Sequence, residues 1–254
     1  MLFYSRMIQK NNEHDNDIMS VNIKDLIAQE IARSGNTNLI ADSNLPDKRQ
    51  IFAVGDSHTI YFYNSMRIKE HWGYLGKIPL TVYTLLRDNM NIYEIGNILG
   101  NTHEQYNIKE GDIVLFYYGY NDIQKNIYTY YGNLDWEHEI EKMFLSYIRL
   151  LVSYKNDYKI EVIVPCIYPN PREGADVNCF GSLKERENYC LKANKVLKEL
   201  CAEYNLKFLG IYDLIVDSEG MIKQEYTKDL IHLDYDNDVL RETIEKIIMD
   251  LIKV

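Results

Sequence analysis

The chain has 254 residues, of which 46% are hydrophobic and 26% charged, a balance typical of a globular protein with a sizeable core. Acidic residues number 38 and basic residues 28, and the resulting formal charge of -10 argues against sequence-independent binding to nucleic acid or anionic lipid. No run approaches the roughly 20 apolar residues that cross a bilayer, and the start resembles no secretion signal. We therefore expect a cytoplasmic protein without membrane insertion and with reduced thiols.

The first 49 residues are predicted to form a helical appendage. One helix, from about Ser20 to Arg33, carries apolar residues at helical spacing, and Gly35 ends it. Residues 50–254 contain neither an internal repeat nor a low-complexity linker. They are expected to form one domain.

Strands and helices are predicted to alternate along this domain. The strands are expected near residues 51–54, 71–75, 112–118, 159–164 and 207–210, and the main helices at 137–154, 182–204 and 236–252. The unbroken apolar run at 113–116 is typical of a parallel sheet that is covered on both faces. This alternation predicts a doubly wound α/β domain, in which functional residues follow the carboxyl ends of the strands.

Three blocks of polar residues lie at such positions. Gly55-Asp56-Ser57-His58 follows the first strand, Gly119-Tyr120-Asn121-Asp122 follows the third, and Asp229-Leu230-Ile231-His232 precedes the last helix. A serine becomes a nucleophile when an imidazole accepts its proton and a carboxylate orients that imidazole. An amide N–H can stabilise the oxyanion that follows. The blocks supply one residue of each type.

These blocks resemble the SGNH (GDSL-type) hydrolase superfamily, and the resemblance covers residues 50–254. It implies a flavodoxin-like three-layer α/β/α sandwich around a central parallel sheet, acting as the catalytic domain. It also implies that Ser57 is the nucleophile, His232 the base and Asp229 its orienting acid. Ser57, Asn121 and a glycine N–H would form the oxyanion hole, and no metal or cofactor would be needed.

Two features depart from the family pattern. His58 stands where leucine is common in the family, and this GDSH variant resembles a branch associated with glycan and capsule processing. The oxyanion glycine is expected to be Gly76, which can directly follow the second strand, while Gly96 is the alternative.

Structural roles compete with catalytic ones at several positions. Ser57 can cap a helix, Asp56 is expected to be a turn residue bonded to nearby backbone, and Asp122 to be an acidic residue at a helix start. Asp234 is an alternative partner for His232. Six tyrosines bracket Asn121, where they can pack in the core or form a platform for sugars: Tyr117, Tyr118, Tyr120, Tyr128, Tyr130 and Tyr131.

We therefore expect a serine ester hydrolase that acts through an acyl-enzyme and removes acyl groups, above all acetyl, from a small-molecule or glycan ester. A sugar O-acyltransferase and a lipid or short-chain esterase are alternatives that use the same residues. A metal-dependent phosphoesterase, suggested by Asp56-x-His58 and by residues 100–104, has less support because its motifs are incomplete and out of order. A non-catalytic glycan-binding protein would not need all three blocks.

Overall fold

The structure is a computed structural model that describes residues 49, 51–59, 61–62, 70–72, 82, 86, 108–128, 135–175, 177 and 179–253. The helix predicted at 20–33, and the predicted appendage apart from Arg49, lie outside these residues. Within the described ranges, no helix is long and apolar enough to cross a membrane.

In the described part of the chain, five parallel strands form the sheet. They are β1 (Ile51–Gly55), β2 (Glu70–Trp72), β3 (Ile113–Tyr117), β4 (Glu161–Pro165) and β5 (Lys207–Leu209), in the order β2-β1-β3-β4-β5. This is the strand order of flavodoxin-like doubly wound sheets, so the predicted fold class is confirmed.

The strand order places a crevice at the carboxyl ends of β1 and β3. From β1 the chain goes to one edge of the sheet, whereas from β3 it goes through β4 to the other edge. Right-handed crossovers in opposite directions lie on opposite faces of the sheet, and they leave a crevice where the direction changes. Ser57 follows β1 and Asn121 follows β3, so both lie at this crevice.

The core explains why these segments form strands. All five residues of β3 are buried, as the unbroken apolar run predicts. Gly55 pairs with Tyr117 of β3, and a Cβ on Gly55 would overlap the carbonyl oxygen of Tyr117. Glycine is therefore required at the end of β1.

The longer helices occur where periodicity predicts them. They are α1 (Trp136–Tyr158), α2 (Leu183–Glu203) and α4 (Asp238–Lys253). Ser182 and Glu185 form the predicted capping box at the start of α2, and Lys159 ends α1 with φ 51°.

The described part of the chain also contains three short elements that the sequence does not predict. They are a π-helix (Asp122–Asn126), helix α3 (Tyr212–Ile215) and a 3₁₀-helix (Gln224–Tyr226). Elements of three to five residues are too short to show an apolar period.

Candidate active site

Ser57 lies in a tight turn that carries the chain out of β1. The backbone N–H of Asp56 donates to the Tyr117 carbonyl (3.2 Å) and that of Thr59 to the Asp56 carbonyl (3.0 Å). The Asp56 carboxylate accepts the N–H of His58 at 3.0 Å. Asp56 is therefore the turn residue that the sequence predicts, and the turn leaves the Ser57 side chain at the crevice, partly exposed.

Asn121 enters the crevice from β3. Gly119 turns the chain with φ +111°, and a Cβ there would lie 2.9 Å from Cδ1 of Ile167. The π-helix starts directly after Asn121, an arrangement often found at functional sites. The Asn121 amide nitrogen donates a long hydrogen bond (3.5 Å) to the carboxylate of Asp56.

Asp122 has a role beyond starting this helix. Its carboxylate accepts the backbone N–H of Val82 at 2.9 Å, across 40 residues of sequence. This hydrogen bond connects Val82, which precedes β3 in the chain, to the end of that strand.

The third block forms a compact loop before α4. One oxygen of Asp229 accepts the backbone N–H groups of Ile231 (3.0 Å) and His232 (2.7 Å). The carbonyl of Leu230, a residue with φ +70°, accepts the N–H of Arg172 at 2.9 Å. A left-handed non-glycine residue carries strain that its surroundings must hold in place, and here the two flanking sets of hydrogen bonds do so.

Asp229, His232 and Ser57 lie in one hydrogen-bonded line. The second oxygen of Asp229 is 2.6 Å from Nδ1 of His232, and Nε2 of His232 is 2.8 Å from Oγ of Ser57. An ionised carboxylate only accepts hydrogen bonds, so the imidazole proton belongs on Nδ1. The bare Nε2 then accepts the Ser57 hydroxyl proton.

Asp229 is ionised in this arrangement. Partial burial acts to raise the pKa of its carboxyl, but hydrogen bonds from the ring and backbone of His232 and from the Ile231 N–H outweigh it and hold the pKa below its ordinary value. Asp234, the alternative partner, instead accepts the Asp236 N–H at 3.0 Å and pairs with Lys228 at 2.8 Å.

The carboxyl of Asp56 has a raised pKa, in contrast to that of Asp229. Its side chain is 2% exposed, and burial raises the pKa of its carboxyl to about 7, although the His58 N–H and the charge of His232 act to lower it. The carboxyl therefore titrates near neutrality, within hydrogen-bonding distance of Asn121.

His58 lies in a box of aromatic rings. Its ring centroid is 4.1 Å from that of Tyr120, 5.3 Å from those of Tyr117 and Tyr168, and 4.7 Å from that of His232. Burial, and then the neighbouring His232, hold the pKa of the His58 imidazole well below its ordinary value, so the ring is neutral. The sequence places His58 at the site, but no motif or spacing predicts its contact with His232.

The tyrosines near Asn121 divide into two groups. Tyr117, Tyr118 and Tyr120 are buried in the core, whereas Tyr128 is 42% exposed. Tyr130 and Tyr131 lie outside the described residues.

Several predicted site residues also lie outside the described residues: Gly76, Gly96 and the candidate metal-site residues 100–104. Among the residues that are described, no group of three or more His, Cys, Asp and Glu side chains is placed to hold a metal ion. Cys166, which follows β4, is fully buried.

No protein-family model and no curated protein matches the chain. A candidate platelet activating factor structure from Streptococcus pneumonia is similar, with 16% identity, a TM-score of 0.52 and coverage of 92% of this chain and 99% of that one. A candidate acylhydrolase from Bacteroides fragilis has 16% identity and a TM-score of 0.51 over 82% of this chain and 88% of its own. A GDSL-like lipase from Bacteroides thetaiotaomicron has 15% identity and a TM-score of 0.51 over 81% and 88%.

The chain has the SGNH hydrolase fold. At these identities the likeness is one of fold. Within the SGNH fold of this chain, the serine block follows β1, the asparagine block follows β3 and the Asp-x-x-His block precedes α4. The sequence resemblance and the architecture therefore agree on where the three blocks lie.

Proposed function

We propose that the chain is a serine ester hydrolase that forms an acyl-enzyme on Ser57 and deacylates an O-acylated carbohydrate. The hydrogen-bonded line from Asp229 through His232 to Ser57 carries this proposal. It supplies a nucleophile, a base on its hydroxyl and a carboxylate that fixes the tautomer of the base.

The reaction begins when Oγ of Ser57 bonds to the ester carbonyl carbon and its proton passes to Nε2 of His232. The carbonyl π electrons move to the oxygen and form a tetrahedral oxyanion. When the oxyanion collapses, the ester C–O bond breaks, and the leaving alkoxide takes the proton from His232. Water then attacks the carbonyl carbon of the acyl-enzyme while Nε2 of His232 accepts a proton from it. Collapse of the second oxyanion breaks the bond to Oγ of Ser57, which takes the proton from His232, and the carboxylic acid is released.

The oxyanion needs donors that are already in place. An asparagine amide has two N–H bonds, and the Asp56 carboxylate accepts one from Asn121. The other N–H and the backbone N–H of Ser57 are the proposed donors, with Gly76 as the third. Ionised Asp229 stabilises the imidazolium that forms on His232 during attack.

Exposed aromatic rings on segments connected to the Asn121 block support a carbohydrate substrate. Tyr128 is 42% and Phe180 46% exposed. Tyr128 follows Asn121 by seven positions, beyond the π-helix, and the backbone N–H of Phe180 donates to the carbonyl of Gln124 in that helix at 3.3 Å. These aromatic rings are the proposed contacts for a sugar that neighbours the acylated one.

The test is labelling with a fluorophosphonate probe, followed by intact-mass measurement. We expect one adduct on the parent chain, none on Ser57→Ala and strongly slowed labelling of His232→Ala. Asp234→Asn is the matched control, since Asp234 does not bond to the His232 ring, and should label like the parent. An unlabelled parent, or an adduct that persists in Ser57→Ala, would refute the assignment.

Turnover tests the oxyanion hole and the substrate. Asn121→Ala should fold like the parent and lose about 10²–10³ in turnover, the effect of removing one oxyanion donor in a protease. A panel of acetylated oligosaccharides, a nitrophenyl acetate and a lysophospholipid tests the substrate class. Preference for the lysophospholipid would overturn the carbohydrate assignment while leaving the serine mechanism intact.

A further inference from the structure

The imidazole of His232 is held along one line only by its hydrogen bonds. Asp229 binds Nδ1 and Ser57 binds Nε2, the two nitrogens on either side of Cε1. Two hydrogen bonds at these neighbouring ring positions restrain rotation about the line through them less than rotation within the ring plane. Because His232 comes from an irregular loop and its side chain is 28% exposed, a neighbouring ring can restrain this tilt further.

The ring of His58 packs against that of His232 in a tilted arrangement. The two imidazole centroids are 4.7 Å apart, and the planes are inclined by 50°. This is within the range of centroid distances over which aromatic rings attract each other.

His58 is itself held rigidly. The residue is 2% exposed, and its backbone N–H donates to the carboxylate of Asp56. Its ring packs against those of Tyr117, Tyr120 and Tyr168. Two of these rings come from β3 and its end, and the third follows β4. The position of the His58 ring is therefore set by the carboxyl ends of the central strands.

We propose that His58 is a positioning residue, whose ring packs against that of His232 so that Nε2 stays aligned with Oγ of Ser57. The inference rests on the proposed function and deepens it. A neutral neighbour suits this role because His232 gains a positive charge during attack, and a second charge in contact with it would oppose that step. The buried, apolar box keeps the His58 ring uncharged.

The ring, rather than Nδ1, is the feature that acts. Nδ1 of His58 is buried and has no hydrogen-bond partner among the described residues, and an unpartnered buried polar atom destabilises the fold. A phenyl ring would fill the same box without this cost. Phenylalanine should therefore replace His58 without loss, whereas leucine, which has no ring, should not.

The experiment compares His58→Phe and His58→Leu with the parent on a short nitrophenyl ester. We expect His58→Leu to lower kcat by about 10-fold or more with KM nearly unchanged, since misplacing a catalytic group by 1 Å can cost on the order of 10²-fold. His58→Phe should keep kcat within about 3-fold, because the contact between the two rings is retained. Tyr154→Leu, which removes a buried ring on α1, is the control for general loss of packing and should keep the parent kcat.

Three outcomes would overturn the proposal: a parent-like kcat in His58→Leu, a change confined to KM, or equal damage in His58→Phe and His58→Leu. NMR of ¹⁵N-labelled histidine tests it without turnover. The His232 ring signals should shift and broaden in His58→Leu but not in His58→Phe, and unchanged signals in His58→Leu would contradict the role. If the parent neither labels nor turns over, the proposed function fails, while the NMR comparison still decides whether His58 positions His232.

Discussion

The buried carboxyl of Asp56 should make the stability of the fold decrease as the pH rises towards neutrality. Burial raises its pKa from 3.8 to about 7, a difference of about 3 units, and each unit corresponds to about 1.4 kcal/mol. A raised pKa means that the folded chain binds the proton more tightly than the unfolded chain. The contribution is therefore fully present below about pH 4 and is lost by about pH 7, a change of about 4 kcal/mol.

Asp56→Asn removes this titration and keeps an oxygen that can accept the His58 N–H. We expect the free energy of unfolding of the variant, relative to the parent, to increase by about 4 kcal/mol between about pH 4 and pH 8. Urea unfolding of both proteins across this range measures the difference. A constant difference would refute the assignment of a neutral-range titration to Asp56.

Asp217 offers a control of opposite sign. Burial acts to raise the pKa of its carboxyl, but the Met221 N–H, Arg172 and the Glu219 N–H hold that pKa below its ordinary value. Its contribution is present above the unfolded pKa and is lost as the pH falls through the folded one. Asp217→Asn should therefore lose stability relative to the parent as the pH rises from acid towards neutrality.

Two further predictions concern the site loop and the end of β3. Asp229→Asn should keep the acceptor for the loop N–H groups but lose turnover by about 10²–10⁴, because the tautomer of the base is no longer fixed. Asp234→Asn should turn over like the parent. Equal rates for both variants would contradict the role of Asp229. Gly119→Ala should destabilise the fold more than Gly111→Ala by about 1–3 kcal/mol, as measured by urea unfolding. Both glycines have positive φ, but only a Cβ at 119 would crowd Phe144, at 3.0 Å, whereas one at 111 meets nothing within 4 Å; similar losses would show that strain alone decides.

The sheet could be predicted from sequence because its strands carry a strong local signal. The unbroken apolar run of β3 and the capping box of α2 each specify their own element. The order of the blocks along the chain then brings Ser57 and Asn121 to adjacent strand ends. For these features, the local pattern and the rules of α/β topology point to the same answer.

The contacts between distant side chains could not be predicted in this way. Asp122 binds the backbone of Val82, and His58 packs on His232, although neither pair is marked by spacing. The sequence motif favours Asp229 over Asp234 as the partner of the imidazole, and in the structure the carboxylate of Asp229 lies 2.6 Å from Nδ1 of His232. The left-handed conformation of Leu230 in this loop is not favoured by residue identity and could not be predicted.

The hydrogen bond between Ser57 and His232 joins residues that are 175 positions apart. The chain between them contains β2, β3, β4 and β5, so the bond forms only when the sheet is assembled and the loop before α4 has docked on it. Contacts between such distant residues carry a high entropic cost and tend to form late. The rate at which Ser57 reacts with a fluorophosphonate during refolding should therefore report the completion of folding, lagging behind the recovery of helical circular dichroism.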